Sequence, residues 1–170
     1  FSCEAPGVDE TPLPDEGPQA LAERLARAKA LAVSGRHPGA LVIGSDQVAS
    51  IDGRSVGKPG GFDAAAQQLG DSSGRTVEFF TGIALAGPSA DECTSCVETF
   101  RVEFRKLAPE EIEAYLRKEQ PYDCAGSFKC EGLGIALFER MIGDDPTALE
   151  GLPLIATCRL LRQAGLNILS

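Results

Sequence analysis

Three carboxylates in this sequence are candidates for chemistry. Asp9 and Glu10 lie in a polar loop near the start of the chain, and Asp46 follows the apolar run of residues 40–44. A pair of carboxylates offers hard oxygen ligands to Mg²⁺ or Mn²⁺, and a carboxylate near such an ion can activate water. Each also has an ordinary explanation, because acidic residues are common in solvated turns and at strand ends.

Two lysines could supply positive charge to a phosphorylated ligand. Lys58 lies in the run Gly57-Lys58-Pro59-Gly60-Gly61, and Lys29 lies near the end of a predicted helix. The run resembles a phosphate-binding loop only superficially, since a Walker motif requires GxxxxGK followed by Ser or Thr. Both lysines are equally compatible with an ordinary exposed surface. Residues 124–132 join small residues to Lys129 and Glu131, which suits either a ligand contact or a simple bend.

The elements that must position these residues begin with a helix. Pro18 suits a first helical turn, apolar residues recur at helical spacing from Leu21, and Gly35 supplies a stop. Residues 40–44 predict a strand buried on both faces that ends at Ser45-Asp46-Gln47, where open α/β sheets commonly place ligands. Asp52-Gly53 predicts a tight hairpin turn.

The rest of the chain predicts an α/β or α+β domain of alternating elements. The expected strands are one already under way at residues 1–5, a pair near 77–85 and 100–104 joined across residues 87–89, and one at 134–138. The expected helices are one at 62–69 closed by Gly70, one that begins at Pro109, and a last one after Gly151-Leu152-Pro153. The last helix should have a cap at Gly165 and an apolar face made of Leu154, Ile155, Cys158, Leu160 and Leu161.

Composition limits the function further. The chain has 170 residues, 43% of them hydrophobic, with a net charge of -9 and a pI near 4.6. An acidic surface repels phosphate backbones, so nucleic-acid binding is not expected. The longest apolar run is too short to cross a bilayer, and we expect a cytoplasmic protein. Cys93 and Cys96 form an isolated CxxC without a second ligand pair, and His37 in a polar turn gives little support for a hydrolytic triad.

Several motifs together resemble the Maf family of nucleoside triphosphate pyrophosphatases. In order along the chain, they are Val8-Asp9-Glu10-Thr11, Arg24-Leu25-Ala26 with Lys29-Ala30, Ile43-Gly44-Ser45-Asp46-Gln47-Val48, Gly57-Lys58-Pro59 and Gly151-Leu152-Pro153-Leu154. Each motif is weak alone, but the ordered set is specific and covers essentially the whole chain. The block from Cys124 to Glu131 resembles the 7-methyl-GTP branch of the family.

The resemblance implies a Maf or inosine triphosphatase-like α/β fold with a central mixed, twisted sheet flanked by helices. It implies hydrolysis of a nucleoside triphosphate to a monophosphate and pyrophosphate, a divalent metal such as Mg²⁺ or Mn²⁺, and a homodimer. It also implies residue roles. Asp46 matches the proton acceptor and a metal ligand, Glu10 a second metal-holding carboxylate, Lys29 and Lys58 the phosphate-facing cations, and Gln47 and Glu131 the positions that select the base.

Two alternatives remain at this point. One is a dTTP/UTP-type pyrophosphatase, which differs only in substrate, and the other is a nucleotide-binding regulatory module linked to septum formation. The sequence also departs from the family pattern, because the expected Ser- and Arg-bearing turn of the type ASxSPRR does not occur in residues 1–170. We therefore expect this chain to lack an N-terminal strand and phosphate-binding turn, and to have reduced activity.

Overall fold

The structure is a computed structural model that describes residues 1–87 and 92–169. The helices are α1 (Pro18–Ser34), α2 (Phe62–Ser72), α3 (Pro109–Glu119) and α4 (Leu154–Gln163). The strands are β1 (Val42–Ile51), β2 (Arg54–Val56), β3 (Thr76–Ala86), β4 (Cys93–Phe104) and β5 (Phe138–Ile142). Short 3₁₀ helices span Ala125–Ser127, Leu133–Leu137 and Pro146–Glu150.

The five strands form one sheet in the order β2-β1-β3-β4-β5, with helices packed against it. This confirms the expected α/β class with a central sheet. Every pairing in the described part of the chain is antiparallel, so the sheet is not mixed there. For β1 and β2 the reason is that two residues join them, and so short a connection permits only antiparallel pairing. The predicted connection at 87–89 extends beyond the described residues.

The hairpin between β1 and β2 has the predicted turn. Ile51 pairs with Arg54, and the two residues between them, Asp52 and Gly53, have φ of 50° and 79°. Positive φ at both central positions defines the turn whose twist matches that of antiparallel strands. Because β2 pairs only with Ala49–Ile51, the earlier half of β1 forms an edge of the sheet.

Helix α1 packs on the sheet at two glycines. A Cβ built on Gly44 of β1 would lie 2.4 Å from the carbonyl oxygen of Ala26, and one built on Gly82 of β3 would lie 2.3 Å from that of Ala22. A side chain at either position would therefore collide with the helix backbone. These glycines allow a close approach that brings Lys29, the neighbour of Ala30 on α1, down to the strand surface.

The opposite face of the sheet carries the main apolar core. Helices α2 and α3 cover it, and four phenylalanines pack edge to face within it. They are Phe79, Phe104, Phe128 and Phe138. Phe128 is buried, with its ring centroid 5.3 Å from that of Phe79 on β3. This packing fixes the loop that follows α3 against the sheet.

Several local predictions were wrong. The Ser45-Asp46-Gln47 tripeptide lies within β1, and the preceding apolar run is not buried on both faces, since Ile43 is 41% exposed at the sheet edge. The apolar residues from Gly134 form a 3₁₀ helix, and β5 starts only at Phe138. The Gly134 N–H donates to the Lys129 carbonyl at 3.1 Å, which is a local turn bond and not a bond between strands.

Other predicted boundaries and faces also shift. Helix α2 continues through Gly70 to Ser72, and residues 1–5 form no strand in the described structure. Helix α4 buries Ala156 and Leu160, while Leu154 and Ile155 are exposed, since the helix turns these two away from the sheet. The predicted cap is confirmed, because Gly165 has a φ of 85° and its N–H donates to the Arg162 carbonyl.

Candidate active site

A cavity of about 760 Å³ opens at the sheet edge that β2 leaves uncovered. Helix α1 and the N-terminal loop border it on one face of β1, and the 128–131 and 149–151 segments border it on the other. Asp9, one of the three candidate carboxylates, does not line this cavity and instead accepts a bond from the Thr11 N–H at 2.9 Å. Six other residues that the sequence singled out do line it. They are Glu10, Lys29, Asp46, Gln47, Lys58 and Glu131.

Lys29 lies between two carboxylates at one end of the cavity. Its Nζ donates to Asp46 Oδ1 at 2.6 Å and lies 2.7 Å from Glu10 Oε1. The side chains of Asp46 and Lys29 are only 12% and 19% exposed, whereas that of Glu10 is 55% exposed. The three charges therefore form a cluster that reaches from the strand surface into the open cavity.

The strand and the helix together place Asp46 and Lys29. Asp46 lies two residues after Gly44, so both face α1 on the pleated strand, and its partner across the sheet is Gly82. Because both glycines let α1 sit close to the sheet, a lysine on that helix reaches the Asp46 carboxylate directly. The sequence predicts both residues but not this contact.

An arginine on α1 holds the loop that carries Glu10. Arg24 donates from Nε and Nη2 to the two oxygens of Glu16 at 2.6 and 2.8 Å, and from Nη2 to the Thr11 carbonyl at 3.1 Å. The Arg24 guanidinium lowers the pKa of the Glu16 carboxyl to about 2. Arg24 thus ties the N-terminal loop to the helix on which Lys29 lies.

Burial and charge act on Asp46 in opposite directions. Burial raises the pKa of the Asp46 carboxyl, and although the bond from Lys29 counteracts this, the pKa stays above its ordinary value. For Lys29, burial acts to lower the pKa, but the bonds to Asp46 and Glu10 outweigh it and the pKa is raised. Lys29 is therefore a firmly charged ammonium, and Asp46 is a more basic carboxylate than a solvated one.

The Glu10 and Asp46 carboxylates are oxygen donors of the type that a divalent metal ion would take. Both are hard oxygen donors, and both already converge on one cation, the Lys29 ammonium. Across residues 1–87 and 92–169, no cluster of three or more His, Cys, Asp or Glu side chains could hold a metal ion. Two carboxylates without a third ligand would suit Mg²⁺ or Mn²⁺, because in nucleotide enzymes substrate phosphates and water complete the coordination of such an ion.

Gln47 is held in a fixed orientation on the other face of β1. Its Nε2 donates to the Ala148 carbonyl at 2.6 Å and to Thr81 Oγ1 at 3.1 Å, and Thr81 donates in turn to the same carbonyl at 3.0 Å. A backbone carbonyl only accepts, so the amide cannot flip without losing this bond. These contacts engage Nε2 and leave Oε1 free to act as an acceptor.

A second part of the cavity, which we call the Glu131 end, carries three acidic residues. Glu131 lies there with Asp123 and Glu150, and all three are exposed. Burial, assisted by the neighbouring carboxylates of Asp123 and Glu131, raises the pKa values of the Cys124 and Cys130 thiols to about 11. Lys129 also lines this part of the cavity and acts electrostatically on Asp123 and Cys124, so three carboxylates against one ammonium leave it net negative. The two thiols remain protonated near neutral pH.

Lys58 also lines the cavity, and its charge acts on Asp123 of this acidic cluster. It is exposed on the loop after β2, and the Gly60 N–H of that loop donates to the Tyr122 carbonyl at 2.9 Å. Its charge is close enough to Asp46 to act on the pKa of that carboxyl. Lys58 can therefore offer a second positive charge to a ligand bound beside Lys29.

Comparison with known proteins decides the family. The sequence model of the family described as "Maf-like protein" matches residues 1–164. This chain belongs to the Maf-like family. Among its relatives is a protein named 7-methyl-GTP pyrophosphatase from Nitrosococcus oceani, 52% identical over 99% of this chain and 85% of the relative.

Two other relatives of this Maf-like chain carry the same name. The protein from Colwellia psychrerythraea is 51% identical over 100% of this chain and 85% of its own length, and that from a Polaromonas species is 54% identical over 99% and 77%. None of the described helices of this Maf-like chain is both long and apolar enough to cross a membrane.

Sequence reasoning about this Maf-like chain missed two residues that line the cavity, Asp123 and Glu150, and the contacts of two that support its walls, Thr81 and Arg24. Thr81 orients Gln47, but a threonine within an apolar strand gives no local signal of that role. Asp123 and Glu150 join Glu131 only because separate segments converge. Arg24 was noted as part of a motif, and its contact with Glu16 was not foreseen.

Proposed function

We propose that this chain is a nucleoside triphosphate pyrophosphatase that hydrolyses 7-methyl-GTP between its α and β phosphates, giving 7-methyl-GMP and pyrophosphate. The observation that carries the proposal is one cavity lined both by the cluster of Lys29, Glu10 and Asp46 and by the carboxylates of Asp123, Glu131 and Glu150. The names of the relatives support the same substrate.

The Lys29 end suits the triphosphate. Lys29 and Lys58 supply positive charge to phosphate oxygens, which stabilises the charge that develops when the phosphoanhydride breaks. Asp46 accepts a proton from the attacking water, and burial makes its carboxylate a stronger base for this step. A divalent ion held by Glu10 and Asp46 would neutralise phosphate charge and make the water more acidic.

The Glu131 end suits a methylated guanine. Methylation at N7 leaves a positive charge on the ring, which the carboxylates of Glu131, Asp123 and Glu150 offset. Gln47 contributes its acceptor Oε1, which fits the N–H donors on the Watson–Crick edge of guanine and repels the acceptor N1 of adenine. These groups belong to the same cavity as the phosphate end, so one nucleotide can reach both.

The test is a substrate panel measured by pyrophosphate release. We expect wild-type protein with Mn²⁺ to show a higher kcat/KM for 7-methyl-GTP than for GTP, dTTP or UTP. Preference for dTTP and UTP would assign the chain to the other substrate class, and binding without hydrolysis would favour a regulatory module over an enzyme.

A charge-neutralising variant tests the base contact. Glu131→Gln should lower the ratio of kcat/KM for 7-methyl-GTP over GTP by about two- to fivefold, because an exposed carboxylate beside a cation contributes at most about 1 kcal/mol. Glu139→Gln is the matched control, because Glu139 is exposed on β5 and does not line the cavity. An unchanged ratio in Glu131→Gln would remove this carboxylate from base selection.

A further inference from the structure

The Lys29 ammonium occupies the point on which the Glu10 and Asp46 carboxylates converge. One Nζ lies 2.6 Å from Asp46 Oδ1 and 2.7 Å from Glu10 Oε1. Charge-assisted bonds of this length are among the stronger hydrogen bonds in proteins. A divalent cation that binds these two carboxylates would compete with Lys29 for the same oxygens.

We propose that Lys29 is a resident cation that holds the metal site closed until nucleotide arrives. The inference rests on the proposed function. It assigns Lys29 two successive partners, the carboxylates in the free protein and a substrate phosphate in the complex. The metal then enters together with the triphosphate, and metal and nucleotide bind with positive coupling.

The protein alone offers a divalent ion little compensation for displacing Lys29. The carboxylate pair has no third His, Cys, Asp or Glu ligand grouped with it in the described residues, so water would have to complete the coordination. The displaced ammonium, 19% exposed, would also lose both of its partners. Phosphates remove both obstacles, because their oxygens coordinate the metal and accept bonds from the ammonium.

Lys58 provides a control within the same cavity. It carries the same charge and acts electrostatically on Asp46, but among the described contacts it bonds to neither carboxylate, and it is exposed. Removing Lys58 changes the net charge as much as removing Lys29 does. A difference in Mn²⁺ affinity between the two variants therefore reports the direct contact of Lys29 with the carboxylates and not the overall positive charge of the cavity.

The experiment measures Mn²⁺ binding by electron paramagnetic resonance and calorimetry without nucleotide. We expect Lys29→Met to bind Mn²⁺ about tenfold more tightly than wild type, Lys58→Met to change affinity by about twofold or less, and Lys29→Arg to stay near wild type because the cation is kept. Thermal unfolding in chelator checks that each variant is folded, and Lys29→Gln replaces Lys29→Met should the latter not fold.

Coupling gives a second readout. An α,β-methylene analogue of 7-methyl-GTP should tighten Mn²⁺ binding to wild type much more than to Lys29→Met, because only wild type gains a new partner for its ammonium. Equal Mn²⁺ affinities of Lys29→Met and Lys58→Met would overturn the proposal. That outcome is separate from the enzymatic assignment, which fails only if wild-type protein releases no pyrophosphate.

Discussion

Gly44 sets the distance between helix α1 and the strand that carries Asp46. Gly44→Ala should therefore disturb the site by moving the helix away from the strand. The added Cβ would lie 2.4 Å from the Ala26 carbonyl oxygen and 2.6 Å from the Ala30 nitrogen. Both contacts are with backbone, which cannot swing aside. Ordinary contact begins at 3.4 Å, so the helix must retreat by about 1 Å.

The retreat has a cost in stability and a cost in activity. Overpacking of this kind costs about 1–3 kcal/mol, or about 2–12 °C in Tm for a chain of this size. Because Lys29 is the neighbour of Ala30, the shift also pulls its ammonium away from Asp46. A displacement of about 1 Å at a catalytic group lowers kcat/KM by about 10²-fold.

The assay compares Gly44→Ala with Gly70→Ala by urea unfolding and by pyrophosphate release. Gly70 is a matched control, because it lies within α2 and an added Cβ meets nothing within 4 Å. There the same substitution should stabilise by about 0.5–1 kcal/mol and leave activity unchanged. If Gly44→Ala matched wild type in both stability and kcat/KM, the close packing of α1 would not be what positions Lys29.

Two further variants test contacts around the site. Thr81→Val removes the hydroxyl that orients Gln47, and we expect the ratio of kcat/KM for GTP over ATP to fall about fivefold. Thr81→Ser keeps the hydroxyl and should keep the ratio. An unchanged ratio in Thr81→Val would mean that the Ala148 carbonyl alone is sufficient to orient Gln47. Arg24→Met frees the Glu16 loop, and we expect easier proteolysis of that loop with little change in Tm. In wild type the pKa of Glu16 is lowered from 4.5 to about 2, so the bond between Glu16 and Arg24 is fully present above pH 4.5 and is lost as the pH falls toward 2. Cleavage of the loop by an acid-active protease should therefore rise only near pH 2.

Local signals predicted the parts of the fold that local physics determines. The Asp52-Gly53 turn needs positive φ at two adjacent residues, and few sequences satisfy that need. Helix α1 follows from a proline start and an apolar stripe. By contrast, the apolar run before Ser45 looked like a complete buried strand, whereas β1 continues to Ile51 and its first half lies at a sheet edge. Only the pairing with β2 reveals this, and pairing is not a local property.

The sequence predicted which residues belong to the candidate site better than it predicted the contacts between them. The ordered motifs named the residues that line the cavity, but nothing in their spacing indicates that Lys29 bridges Glu10 and Asp46. Equally, the orientation of Gln47 depends on the carbonyl of Ala148, a backbone group 101 positions away that any residue type would supply. Such contacts arise from the packing of distant segments.

The most direct test of the account is turnover of 7-methyl-GTP by Asp46→Asn, followed as pyrophosphate release with Mn²⁺. The amide cannot accept the proton of water and binds metal poorly, yet it fills the same space beside Lys29. We predict at least about a 10²-fold loss of kcat with the circular dichroism spectrum and Tm close to wild type. A folded Asp46→Asn protein that turns over at the wild-type rate would contradict the assignment of this cavity as the catalytic site.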